Sequence, residues 1–198
     1  LFVDAGNDRV GIGASSPAIP LDVHGADTNA NGTGDVKGQL RVFNDTTAFG
    51  SSPRAGIVFS TKYRTSPDIP LDGAAIYGGK ENSSDANKDF FLAFATRDES
   101  PNEAVERMRL DSSGRLLVGT TTEGLSGGDQ LTIASSAHCG MTIRAGTSSR
   151  SSIYLSDGTS GVSEYRGYIE YDHDDDYMRF GTAAAEQMRL DSSGNLGI

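Results

Sequence analysis

The sequence predicts an all-β chain built from repeated antiparallel hairpin modules. Three observations predict it. A nine-residue motif returns almost unchanged; short runs of β-branched and aromatic residues alternate with Gly, Ser, Thr, Asn and Asp; and no stretch holds a helical period.

The motif is Met108-Arg109-Leu110-Asp111-Ser112-Ser113-Gly114-Arg115-Leu116. It returns as Met188-Arg189-Leu190-Asp191-Ser192-Ser193-Gly194-Asn195-Leu196, 80 residues later. Glu106 and Glu186 stand two positions before the two methionines. A looser copy opens the chain, from Leu1-Phe2-Val3-Asp4 to Val10-Gly11-Ile12-Gly13, in which Val3 takes the place of Leu110. Residues 1–107 are therefore a first β-repeat module, 108–187 a second, and 188–198 the start of a third. The first module is longer, with insertions near 24–38 and 61–72 that are expected as peripheral loops.

Each motif fits a hairpin. Apolar Met108, Leu110, Leu116 and Val118 alternate with Arg109 and Leu117, the period of a strand with one buried face. Asp111 and Asp191 can accept local backbone N–H bonds, and Gly114 and Gly194 can take the positive φ that a tight turn needs. On this reading Met108, Leu110, Met188 and Leu190 are core. Arg109 and Arg189 point to solvent or to a partner chain's carboxylate. Short helices over Asn102–Leu110 and Thr182–Leu190 are the competing reading, because Glu-Ala-Val-Glu and Ala-Ala-Ala-Glu suit them.

The other strands are expected at 40–43, 56–60, 74–78, 89–96, 131–134, 141–145, 152–156, 165–171 and 177–181. Paired in order, Arg54–Phe59 corresponds to Arg150–Leu155, Asp89–Thr96 to Asp176–Thr182, and Leu21-Asp22-Val23 to Leu131-Thr132-Ile133.

Composition limits what such sheets can do alone. Leu, Ile, Val and Phe supply 40 of 198 residues; Gly supplies 25 and Trp none. That is a thin inventory for one self-sufficient core. Three chains around an axis could pool their apolar faces, closed symmetry would hide sheet edges, and repeated modules build length. A net charge of −10 with four lysines argues against nucleic acid as a partner. No apolar run is long enough to span a membrane, and the first residues do not form a signal peptide. The chain starts without Met and stops inside a repeated motif, so it is expected to be part of a longer polypeptide.

Asn7-Asp8-Arg9-Val10-Gly11-Ile12-Gly13-Ala14-Ser15-Ser16-Pro17, followed by Leu21-Asp22-Val23, resembles the repeat of bacteriophage tail fibres and related surface fibres. The Met-Arg-Leu-Asp-Ser-Ser-Gly copies are similar to the same family. The resemblance covers about a fifth of the chain, and Gly119-Thr120-Thr121-Thr122 departs from it by lacking Ser-Pro. It implies an elongated homotrimeric fibre shaft in a virion tail, often upstream of an intramolecular chaperone domain. Fibre or baseplate proteins and a host surface receptor, such as a glycan, would be its partners. Such a protein is structural, carries no cofactor and positions a receptor-binding tip. The alternatives are an adhesin-like glycan-binding module and a tailspike depolymerase.

No site of chemistry stands out. Asp172-His173-Asp174-Asp175-Asp176 alternates acids as a calcium loop does, but Tyr177 and Ala183 occupy the places where that loop needs Gly and Glu. The reading is a solvated hairpin tip. His138-Cys139 lacks a second pair for zinc, and His24 and His173 are remote in sequence. Gly79-Lys80 is followed by Glu81, which a phosphate-binding loop does not allow. Tyr154, Tyr165, Tyr168, Tyr171 and Tyr177 could stack on sugars or pair across strands. No catalytic, metal or cofactor-binding residue is assigned.

Overall fold

The computed structural model describes residues 2–7, 9–12, 15–16, 21–23, 54–65, 68–84, 88–99 and 103–198. The expected strand 40–43, the insertion 24–38 and His24 lie outside the described residues. Regular structure here is strand, apart from one 3₁₀ turn at Gly161–Tyr165. The chain divides into two compact units, Leu1–Ala137 and His138–Ile198.

The first unit holds two sheets. The smaller contains β1 (Phe2–Asp4), β2 (Arg9–Ile12) and β3 (Leu21–Val23). The larger runs in chain order through β4 (Arg54–Thr65), β5 (Asp68–Lys80), β6 (Phe90–Arg97), β7 (Ala104–Leu110), β8 (Leu116–Val118) and β9 (Leu131–Ile133). The second unit is one sheet of β10 (Arg150–Leu155), β11 (Gly167–Asp172), β12 (Tyr177–Thr182), β13 (Ala185–Leu190) and β14 (Leu196–Gly197). Sequence neighbours pair antiparallel, as short turns dictate. The exceptions are β2–β3 and β8–β9, which run parallel.

The motif forms the expected hairpin, and the helical alternative does not occur. Leu110 pairs with Leu116, Leu190 with Leu196, and Val3 with Val10. The parallel strand that follows is also shared: Leu116 pairs with Leu131 as Val10 pairs with Leu21. Divisions at 107/108 and 187/188 fall inside β7 and β13, so each motif is the closing hairpin of its sheet.

Ladder register makes the two larger sheets equivalent strand by strand. Arg54 opens β4 opposite Gly79, and Arg150 opens β10 opposite Asp172. Ile57–Ile76–Phe94–Met108 forms one cross-strand row, matched by Ile153–Ile169–Phe180–Met188. The residues near 61–72 were expected as a peripheral loop. They instead lengthen β4 and β5 to 12 and 13 residues, against six in β10 and β11, because Ser60, Thr61 and Lys62 continue the ladder opposite Asp72, Leu71 and Pro70. Residues 141–145 form no strand. That segment is tied to β10 by a side chain, where Ser151 Oγ donates to Ile143 O at 3.1 Å, and not by a ladder.

The interior is small. The buried apolar residues among those described are Phe91, Ala93, Ala95, Leu117, Tyr168 and Tyr177. Among the described residues Leu117, at 1 % exposure, is the single large side chain withdrawn almost completely from solvent.

Candidate functional site

Period-2 alternation gives each large sheet two faces, and they differ in chemistry. One carries the row Ile57–Ile76–Phe94–Met108 and, beside it, Leu92, Leu110, Leu116, Val118, Leu131 and Ile133. In the second unit this face carries Ile153, Leu155, Ile169, Phe180, Met188 and Leu190. Much of it is uncovered: Ile57, Leu92, Leu131, Ile153, Leu155 and Ile169 are all exposed. A contiguous apolar surface of this kind marks a place where something else packs.

Met108, Leu110, Met188 and Leu190 share this face, as the alternation predicted. Their expected burial is corrected. Leu110 is 45 % exposed and Leu190 43 %, while Met108 and Met188 are half-buried. The reason is that no other described residues are layered over this face, so the leucines stay open.

The opposite face is charged and aromatic, and it is the better buried one. The Arg109 side chain is 13 % exposed, less than its apolar neighbour Leu110. Its guanidinium carbon sits 4.0 Å from the centre of the Phe91 ring, and Nε and Nη2 bond the two Glu106 oxygens at 2.5 and 2.8 Å. Tyr77 donates its hydroxyl to Glu106 at 2.8 Å, meets Phe91 edge-on at 5.9 Å and lies under Arg54 at 5.0 Å. The second unit repeats the core of this network. Arg189 lies 4.0 Å over the Tyr177 ring and bonds Glu186 twice at 2.8 Å. Arg109 and Arg189 were expected to reach solvent or a partner. Arg109 is instead withdrawn into its own sheet, where its guanidinium finds both an aromatic face and a carboxylate; Arg189 makes the same pairs but keeps 43 % of its side chain exposed, so it does reach solvent.

A β-bulge makes those pairs possible. Phe94 pairs with Met108, but Ala95 pairs with Glu106, so Arg107 is the extra residue. Likewise Phe180 pairs with Met188 and Gly181 with Glu186, leaving Gln187 extra. In a regular strand, residues three apart face opposite ways. The extra residue restores them to one side.

The electrostatics follow from the contacts. Burial alone would raise the Glu106 carboxyl, but hydrogen bonds from Arg109 and Tyr77 outweigh it and hold it below its ordinary value. Burial and the Glu106 carboxylate push the Tyr77 hydroxyl up. Glu186 is held low first by its hydrogen bond from Arg189.

The turns match their residues. Gly114 has φ +78° and Gly194 +84°. Asp111 Oδ1 accepts from the N–H groups of Ser113 and Arg115 at 3.0 and 2.9 Å; Asp191 Oδ1 accepts from Ser193 and Asn195 at 2.9 and 2.8 Å. The second oxygen takes Arg115 Nε at 2.6 Å in one copy and Asn195 Nδ2 at 2.9 Å in the other. Different side chains thus serve one turn.

The acidic tip is a turn cap. Asp172 is buried, and its carboxylate accepts from Arg150 Nε at 2.7 Å, Tyr177 Oη at 3.1 Å and the N–H groups of Asp174 and Asp175. Its pKa is lowered to about 2, chiefly by Arg150. Among the described residues no group of three or more His, Cys, Asp or Glu is placed to hold a metal ion. Cys139 is exposed, and His173 Nε2 lies 2.9 Å from Ser151 Oγ with its ring 4.9 Å from Tyr171.

Sequence reasoning missed the charged face, although its signal was present in the constant spacing of Glu106 to Arg109 and Glu186 to Arg189. No described helix is long and apolar enough to cross a membrane. In comparison with known proteins, the chain matches no family model and no curated protein.

Proposed function

We propose that this chain is a structural segment of a homotrimeric, phage-type tail fibre, in which the apolar sheet faces meet those of two further copies. Its work is mechanical: it holds a receptor-binding tip away from the particle for host attachment. The single observation that carries this reading is the exposed apolar face repeated in equivalent register in both units. A partner for such a surface must present matching apolar groups at the same spacing along its length. A second and a third copy of this chain supply that match automatically, and closed symmetry leaves no face over. The charged faces, already neutralised within each chain, would then look outward. The hairpin resemblance to fibre repeats supports the same reading. Fibre or baseplate proteins and a host receptor would be its neighbours in the virion.

Light scattering on the chain, produced with its natural neighbouring sequence, tests the proposal. The expected mass is three times that of one chain. Phe94→Asp with Phe180→Asp should drop it to one, because each places a charge in the centre of the apolar face. A compact monomer at micromolar concentration overturns the proposal.

A further inference from the structure

The charged face of the second unit has a pocket lined by side chains that the equivalent positions of the first unit do not carry. It is open, about 280 Å³, and walled by Tyr154, Tyr165 and Tyr168, with Glu170, Arg150 and Arg179 at its polar side. The ladder register shows how it arises. Tyr154, Tyr168, Glu170 and Arg179 stand where the first unit has Val58, Ala75, Tyr77 and Ala93. The scaffold is shared, and these four positions differ in side chain.

Each wall is fixed in place. The Tyr168 ring lies across Gly181, where a Cβ would stand 2.1 Å from it, so glycine is what lets the ring lie flat. Glu170, 3 % exposed, accepts from Ser152 Oγ at 3.1 Å, from Tyr154 Oη at 3.2 Å and from Arg179 through Nε and Nη2. Arg150 Nε lies 3.3 Å from the same carboxylate. Tyr165 ends the 3₁₀ turn. The loop carrying that turn is tied down by Ser156 Oγ, bonded to Gly158 O and Ser163 O at 2.7 and 2.9 Å, and by Ala184 N–H donating to Arg166 O at 3.0 Å. Ala184, at the rim, has φ +63°, and Ala183 before it +51°, a left-handed pair without glycine. They are the two central residues of the β12–β13 hairpin turn, which sets both in the left-handed region and fixes this rim of the pocket.

We infer that this pocket binds one pyranose ring of a neutral saccharide. Tyr154 and Tyr165 are exposed, and their ring faces suit the C–H edges of a sugar; Tyr168, 8 % exposed with Arg179 5.3 Å over its ring, forms the floor, and the tyrosine hydroxyl and guanidinium groups suit the sugar's hydroxyls. The charges around the pocket are already paired with one another, which favours an uncharged ligand over an anion. The size fits a single ring, at the lower end for ligand sites. The inference concerns the second unit alone and rests on the fibre reading in expecting a host-surface glycan; because the mass measurement tests assembly separately, either can fail without the other.

Saturation-transfer NMR with glucose, galactose, mannose and N-acetylglucosamine as free probes tests it, with inorganic phosphate and sialic acid as charged probes. At least one neutral sugar should receive saturation at millimolar concentration. Tyr165→Ala and Tyr154→Ala should each weaken that binding about tenfold. Tyr165→Phe, which keeps the ring, should retain it. Leu125→Ala, at a residue 85 % exposed in the connection between β8 and β9 of the first unit, should leave it unchanged. Tyr154→Ala decides the matter if Tyr165→Ala disturbs the loop. The proposal is overturned if no neutral sugar receives saturation, if only the charged probes bind, or if binding survives the loss of both rings.

Discussion

Glu106 and Arg109 are joined by two hydrogen bonds on one face of β7, although three residues apart in a strand. The bulge at Arg107 is what brings them together, and Gln187 does the same for Glu186 and Arg189. One extra residue in an otherwise alternating strand therefore does two things. It keeps Met108 and Leu110 on the apolar face, and it places Glu106 beneath the guanidinium that covers Phe91.

Glu106→Ala removes the acceptor of both Arg109 and Tyr77. The expected loss is about 1–3 kcal/mol, the cost of leaving buried donors unsatisfied. Glu186→Ala should cost about 0–1 kcal/mol, because that pair is more exposed. Amide exchange in β7 and β13 measures each locally. Equal losses, or a larger one in β13, would contradict the ranking.

Gly114→Val should cost about 1–2 kcal/mol, from the left-handed backbone alone, since a Cβ there meets nothing within 4 Å. Gly114→Asn should be tolerated better. Gly119→Ala should be worse than Gly114→Ala: φ is +73° and the new Cβ would lie 2.2 Å from Ala134 O. Urea unfolding of the four variants gives the order.

Gly181→Ala should displace the Tyr168 ring and cost about 1–3 kcal/mol, as overpacking does. In the same variant the Tyr168 ring proton shifts should move while those of Tyr77, in the other unit, stay. Unchanged Tyr168 shifts would refute the close packing.

Acid should weaken the second unit in a defined window. Asp172 titrates at about 2 in the folded chain against an ordinary 3.8. A depressed carboxylate contributes stability above its unfolded pKa and loses it as pH falls through the folded one. The loss should therefore run between about pH 4 and 2, with Glu186, also held low, adding to it. Thermal unfolding followed by circular dichroism across that range checks it. Asp172→Asn should flatten the decline.

The sequence by itself determined the hairpin turns, the repeated motif and most of the strands, though not the absence of one at 141–145 or the lengthening of two near 61–72. These depend on neighbours a few residues apart: Asp111 reaches the N–H of Ser113 and Arg115, and glycine alone enters the left-handed region freely at 114. Alternation also told which residues share a side, so Met108, Leu110, Met188 and Leu190 were grouped correctly. It could not tell which side is covered. Only the tertiary structure decided that Arg109 is withdrawn from solvent while Leu110 stays open. Burial depends on what lies across the sheet, and Phe91 and Tyr77, which form that cover, come from other strands. The bulge was equally invisible in the order of residues, because it is a mismatch between two strands and belongs to neither alone. The pocket beside Tyr165 needed the ladder register and a loop held by Arg166 before its rings could meet around one space.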